Sequence, residues 1–359
     1  MADHISTSTI ATIGLMMVLG VSALNAAYAV PMLTLDNEVA ETTVKDSNFI
    51  ERRADPWVIK AADGGYYYTA SVPEFDVIEL RYAKTIDGLA HAKSKVIWQK
   101  HKTGPMSIDI WAPEMHYIDG GWYIYYAASD INKRFHNRMF VLGLEGEDPM
   151  TGQWRELGRF KTGRDAFSLD ATTFTVGDQR YAIWAQQDTA KTYNTGLVIA
   201  KMSSPTSTEL PETIISEPLL HWERLGFKVN EGAAVIKKHG RVFVSYSASA
   251  TDDRYAMGLI WADETADLLD AKSWHKLEKP VFTTQAELKR FGPGHNSFVV
   301  AEDGKTDLMF YHARDYLELQ GTPLTDGNRH TRYRAIGWSE GGFPEFYNEL
   351  SDRQTFEVK

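Results

Sequence analysis

The chain has 359 residues, 43% hydrophobic and 12% aromatic with 27 glycines, which is enough to bury one large core. Its net charge of −10 and the lack of any basic run argue against a nucleic-acid partner, because phosphate binding needs clustered Lys and Arg. The absence of cysteine excludes disulfides, thiolate metal sites and a cysteine nucleophile.

The chain opens on a leader-like segment. An apolar run covers Ile10 to Val21, and Ala27-Tyr28-Ala29 offers a small-x-small cleavage site after Ala29. Asp3 and His4 stand where a signal peptide ordinarily carries Lys or Arg, so an uncleaved membrane anchor is the alternative. No later run reaches the roughly 18 apolar residues that a membrane span requires. The expectation is a signal peptide over residues 1–29 and a single domain over residues 30–359. The protein is expected to be periplasmic or secreted, with no stable membrane association once the leader is removed.

After the leader a unit recurs five times. An apolar stretch carries one lone polar residue, meets a glycine turn and resumes as an aromatic-rich strand. The first unit has Asp55, Gly64-Gly65 and Tyr66-Tyr67-Tyr68; the second has Glu114, Gly120-Gly121 and Trp122-Tyr123-Ile124-Tyr125-Tyr126. The third has Asp170, Gly177-Asp178 and Tyr181-Ala182-Ile183-Trp184; the fourth has Glu231, His239-Gly240 and Val242-Phe243-Val244-Ser245-Tyr246. The fifth has His295, Asp303-Gly304 and Leu308-Met309-Phe310-Tyr311. The polar residues are 59, 56, 61 and 64 positions apart. A period near 60 built of strand, turn and strand predicts radial blades, since one small sheet cannot bury both faces alone.

The predicted fold is therefore all-β, a five-bladed β-propeller. Its ring is closed by pairing Ser47-Asn48-Phe49-Ile50 with a C-terminal strand within Tyr333 to Trp338. A β-sandwich explains the strand count but leaves the recurrent polar residue without a reason. No long amphipathic helix is expected; the stretch from Ala262 to Leu269 allows a short one at most.

Asp55, Asp170 and Glu231 each sit among apolar neighbours, where a carboxylate is partly desolvated. Closely spaced carboxyls repel, so their pKa values separate, which is what acid–base work on one bond requires. Taken alone, each acid could cap a turn or pair with an arginine such as Arg53 or Arg164; three in register argue for a site.

Five motifs in order, Arg53-Ala54-Asp55-Pro56, Trp111-Ala112-Pro113-Glu114, Ser168-Leu169-Asp170-Ala171, Asn230-Glu231-Gly232 and Gly292-Pro293-Gly294-His295-Asn296, make residues 50–340 resemble glycoside hydrolase family 43. Within it, Ser71 to Asp76, Gly104-Pro105-Met106-Ser107 and Arg329-His330-Thr331-Arg332 resemble the exo-acting α-1,5-L-arabinofuranosidases. The resemblance implies an inverting hydrolase with Asp55 as general base, Glu231 as general acid and Asp170 orienting the acid and tuning its pKa. An inverting enzyme holds its two carboxyls roughly 6.5–9.5 Å apart, leaving room for water. It also implies an ion or water near His295, with Ca²⁺ the candidate cation, and no organic cofactor. Trp111, Phe75, Glu114 and Arg314 are candidate substrate contacts: Trp111 a stacking face, Phe75 a wall, Arg314 a donor to sugar hydroxyls, and Glu114 a support.

The expected substrate is a plant cell-wall polysaccharide or oligosaccharide, with L-arabinofuranose released from α-1,5-linked arabinan. A β-xylosidase or an arabinoxylan-debranching enzyme would share the same core motifs. A retaining fructan-acting relative and a non-catalytic carbohydrate-binding propeller are the remaining alternatives. Oligomeric state is not legible in the sequence.

Overall fold

The computed structural model describes residues 45–347. The expected leader and its cleavage after Ala29 lie outside the described residues.

Five antiparallel sheets succeed one another along the chain, and each starts with one of the strands that carry the motifs. Blade I is built of Ala54–Lys60, Tyr66–Ser71, Val77–Ala83 and Lys95–Gln99. Blade II contains Ile108–Ile118, Gly121–Asp130, Lys133–Glu145 and Gln153–Arg159. Blade III contains Ser168–Val176, Gln179–Gln186 and Gly196–Ser204, with Ser207–Thr208 and Thr213–Ser216 both pairing to the last of these. Blade IV contains Asn230–Lys238, Arg241–Ala248, Ala256–Asp263 and His275–Lys276.

Blade V is closed by the two ends of the ring. Phe291–Val300, Asp307–Arg314 and His330–Ala335 come from the C-terminal side, and Lys45–Ile50 supplies the outer strand. Lys45 pairs with Tyr333 and Ile50 with Thr331, which is the predicted closure, starting three residues earlier on the C-terminal strand and ending at Ala335. The first strands of the five blades pack in sequence, I on II, II on III, III on IV, IV on V and V back on I, so they surround one axis.

Because each blade is apolar on both faces, each gap between neighbours holds its own core. Leu80, Ile124 and Phe140 fill the gap between I and II, and Val141, Trp184 and Val198 that between II and III. Ile183, Val244 and Ile260 follow between III and IV, Phe243, Met309 and Tyr311 between IV and V, and Val58, Tyr68 and Phe310 between V and I. The load of Tyr, Trp and β-branched residues thus serves strands covered on both sides.

The α-helix among the described residues is Ile86–His91, capped by the Thr85 hydroxyl, which accepts from the Gly88 N–H. Six residues are too short to show a helical period, so it was not legible. Ala262 lies within the strand Ala256–Asp263, and turns follow that strand in place of the short helix.

The feature that builds the site is a β-bulge in every innermost strand. The pairing register slips between Ala54 and Trp57, Trp111 and Glu114, Leu169 and Thr172, Glu231 and Ala234, and Gly294 and Ser297. Inside each slip one residue has positive φ: Asp55 at 53°, Ala112 at 46°, Asp170 at 58°, Gly232 at 57° and His295 at 47°. A bulge re-aims side chains and frees a backbone N–H from the ladder. Side chains take up those N–H groups. The N–H of Ala112 donates to the Ser71 hydroxyl at 2.7 Å and that of His295 to the Ser247 hydroxyl at 2.7 Å. That of Gly232 donates to Asp170 Oδ2 at 2.9 Å, and that of Asp55 to His312 Nδ1 at 3.1 Å. The true five-fold equivalents are thus Asp55, Ala112, Asp170, Gly232 and His295.

Candidate active site

The five bulges surround a cavity of about 430 Å³, lined by residues of all five blades. Asp55, Phe75, Trp111, Asp170, Glu231 and His295 line it, together with Arg329 and Tyr255. The structure therefore brings the three expected acids and the histidine together. It does not bring Glu114 or Arg314 into the cavity.

Glu114 lies two residues past the bulge of its strand and is buried behind the wall. Its Oε2 is 3.0 Å from His116 Nε2, and His116 Nδ1 in turn contacts the Thr173 hydroxyl at 3.2 Å. Burial first, then the nearby charge of Asp170, pushes its carboxyl well above the usual range, against a hydrogen bond with Thr172. It supports the strand carrying Asp170 and does not face the cavity.

Arg314 is 1% exposed and its donors go to loop backbone: Nη1 to the Thr251 carbonyl at 2.6 Å and Nη2 to the Asp326 carbonyl at 3.0 Å. Its Nε lies 3.5 Å from Asp326 Oδ2. In place of the sugar contact expected of it, the guanidinium fastens residues 315–329, the loop that delivers Leu324 and Arg329 to the cavity.

Asp55 is held on several sides. Ser71 donates to Oδ2 at 2.6 Å, while Arg329 Nη1, His312 Nδ1 and His295 Nδ1 lie 3.3, 3.2 and 3.4 Å from Oδ1. Burial alone would raise its pKa. The Arg329 guanidinium above all outweighs burial and holds the carboxyl well below the usual range. Burial pushes His312 down to about 3 and lowers His295 too, so both rings are neutral at pH 7 and the fixed positive charge is Arg329.

The other two acids go the opposite way. Glu231 accepts from the Tyr255 hydroxyl at 2.9 Å. Burial, with the charge of Asp55, lifts it to about 7, against the pull of Tyr255 and Arg329. Asp170 accepts from the Gly232 N–H on Oδ2, while its buried Oδ1 has no partner among the described residues. Burial first, then the charges of Glu231 and Asp55, drives it well above the usual range. A charged Asp170 beside a protonated Glu231 is the simple expectation; here both carboxyls are pushed toward the protonated form, while Asp55 is pushed the other way.

Asn230, next to the acid, is pinned from below. Its side chain meets Ser216 at 2.7 Å and the buried Glu223 at 3.0 Å, and Glu223 pairs with Lys276 at 2.5 Å and Tyr246 at 2.8 Å. Above the acids stand Phe75, Trp111, Phe135, Phe167 and Phe227, an aromatic wall around the polar floor. Trp111 packs edge-on to Phe75 at 6.0 Å, and its buried indole N–H has no partner among the described residues. Phe75 and Phe135 have φ of 49° and 63°, strained for bulky residues, of the kind that persists where surroundings fix a site.

His295 does not gather a metal-ligand set. Among the described residues no group of three His, Cys, Asp or Glu side chains could hold a metal ion. The carboxylate facing its ring is shared with the Arg329 guanidinium, whose charge opposes a cation. The expected Ca²⁺ is therefore not supported among the described residues.

Gly232 is the one glycine among the five bulge positions, and it packs tightly against His295. Its φ is +57°, and an added Cβ would lie 3.0 Å from the ring of His295. Gly232→Ala is expected to cost about 1–3 kcal/mol of stability through backbone strain. It should also lower kcat/KM by displacing His295 and the N–H that binds Asp170. Thermal melts and steady-state kinetics check this; an unchanged Tm and kcat/KM would contradict it.

A sequence model described as glycosyl hydrolases family 43 matches residues 48–344. A Streptomyces avermitilis protein named extracellular exo-alpha-(1->5)-L-arabinofuranosidase is 46% identical over 349 residues, spanning 97% of this chain and 70% of the relative. Alpha-L-arabinofuranosidase 43 of Humicola insolens is 47% identical over 310 residues, spanning 86% of this chain and 64% of the relative. The crystal structure of an alpha-L-arabinofuranosidase from Lactobacillus brevis superposes with a TM-score of 0.83 at 46% identity, covering 87% of this chain and 98% of that one.

Proposed function

The chain belongs to glycosyl hydrolases family 43, and on that premise we propose that it is an exported, inverting exo-α-(1→5)-L-arabinofuranosidase. Its substrate would be arabinan or arabino-oligosaccharides of the plant cell wall, and its product L-arabinofuranose. The observation that carries this reading is the division of labour among three carboxyls in one cavity: Asp55 is held ionised, while Glu231 keeps a proton up to about pH 7. The relative named extracellular supports export, with the leader-like residues 1–29 as its means.

The ionised Asp55 takes a proton from water as that water attacks the anomeric carbon. Glu231 gives its proton to the departing glycosidic oxygen. Asp170 orients the Gly232 backbone beside Glu231 by accepting its N–H. Positive charge developing on the sugar ring meets the carboxylate of Asp55, and the aromatic wall excludes bulk water from the ring. Water is the nucleophile, so no organic cofactor is called for.

Two measurements test the reading. With linear arabinan, arabinose should be the first product, and NMR of early turnover should show the β-anomer released from the α-linked substrate. Arabinobiose first, xylose from xylo-oligosaccharides alone, or the retained anomer would contradict it. The second is the pH profile. Asp55 must be charged, and its lowered pKa keeps it so into acid; Glu231 must be protonated, and its raised pKa keeps it so up to about 7. On natural glycosides kcat/KM should hold through mildly acidic pH and fall about tenfold per unit above that limb.

A further inference from the structure

We infer that Tyr255 is a positioning residue, fixing the carboxyl of Glu231 through its hydroxyl and linking it to Asp55 through His312. The inference rests on the reading of Glu231 as the acid and Asp55 as the base.

Tyr255 precedes the strand Ala256–Asp263 and is 1% exposed. Its hydroxyl donates to Glu231 Oε1 at 2.9 Å. Its ring lies parallel to that of His312, 5.7 Å away at 5°, and His312 Nδ1 accepts the backbone N–H of Asp55. One aromatic side chain thus touches the acid with its polar end and the support of the base with its face.

Gly294 makes room for it. A Cβ at Gly294 would fall 2.5 Å from Tyr255 Cε1, whereas one at Gly292 would meet the Asp252 carbonyl. The motif that precedes His295 therefore also seats this tyrosine.

The hydrogen bond has a chemical consequence. A protonated carboxyl carries its hydrogen on one oxygen, and Oε1 is occupied as an acceptor. The transferable proton of Glu231 is then confined to Oε2, and the carboxyl cannot rotate freely. Losing the bond should cost proton transfer and leave sugar binding largely intact. The bond also favours the charged carboxylate, so its removal should raise the pKa of Glu231. The other charged or titratable groups facing Glu231 in the cavity are Asp55, Asp170, His295 and Arg329, and the variant leaves all of them in place.

Tyr255→Phe keeps the ring and deletes the hydroxyl. On arabino-oligosaccharides kcat should fall about tenfold with KM near wild type, and the alkaline limb should move to higher pH. Nitrophenyl arabinofuranosides, whose leaving group departs without a proton, should lose about threefold at most. A limb at the wild-type pH with equal losses on both substrates overturns the inference. Tyr255→Leu removes the ring as well and should add a loss on the nitrophenyl substrate through His312 and Asp55. If the Phe and Leu variants match on that substrate, the link to Asp55 is overturned. Glu231→Ala is measured alongside. If it damages both substrates equally, the acid assignment has failed; if it spares the nitrophenyl substrate and Tyr255→Phe does not, the failure belongs to Tyr255 alone.

Discussion

Glu231→Ala is expected to lower kcat/KM on arabino-oligosaccharides by about 10²–10⁴-fold, the usual contribution of general acid catalysis. The same variant should lose about tenfold or less on nitrophenyl arabinofuranosides, because a nitrophenolate departs without a proton. The expectation follows from the carboxyl's setting. Burial and the fixed charge of Asp55 lift Glu231 to about 7, which suits the role of proton donor proposed for it. Its alkaline limb on arabino-oligosaccharides should disappear, since that limb reports the proton being lost. The fold should survive: Glu231 lines a cavity and takes no part in the apolar cores between the blades. Comparing the two leaving groups in one preparation removes any doubt about the amount of folded enzyme. Equal damage on both would sink the assignment of the acid.

The ring was legible because its unit announces itself chemically. A glycine turn followed by an aromatic strand recurs at nearly constant spacing, and strands covered on both faces need that composition. The centre was legible where the bulged residue is itself polar. Asp and His tolerate positive φ better than most residues, so Asp55, Asp170 and His295 mark their own bulges. Blade II breaks the pattern. Its bulged residue is Ala112, which carries no charge to notice, and Glu114 two residues later draws the eye and faces the wrong way. In blade IV the bulge is Gly232 and the acid is the residue before it.

The partners of the acids were harder to read for a different reason. Ser71, Tyr255, His312 and Arg329 come from second strands, strand entries and a loop, where no period governs position. Arg329 stands in a segment that the sequence marks as distinctive, but its contact with Asp55 depends on the closing of blade V. Arg314 is a candidate sugar donor by residue type alone. Here the carbonyls of a long loop need a buried donor, and that need consumes it.

Asp55→Asn is the cleaner probe of the base, because asparagine accepts the positive φ of 53° while alanine adds strain. The variant deletes the carboxylate but keeps its shape between Ser71, Arg329 and the two histidines. Without a base to take the proton from water, kcat should fall about 10²–10⁴-fold. The loss should be similar on natural and nitrophenyl substrates, since water must be activated in both. Asp55→Ala opens space in the same place, beside the guanidinium of Arg329. Added azide is an anion that can occupy that space and attack the anomeric carbon itself, without giving up a proton. It should restore turnover of the nitrophenyl substrate in the alanine variant and yield the β-configured glycosyl azide. The pH profile supplies an independent sign. The negative charge of Asp55 helps hold Glu231 protonated, so neutralising it should move the alkaline limb to lower pH. An azide product of retained configuration, or a limb that moves upward, would place the base elsewhere in the cavity.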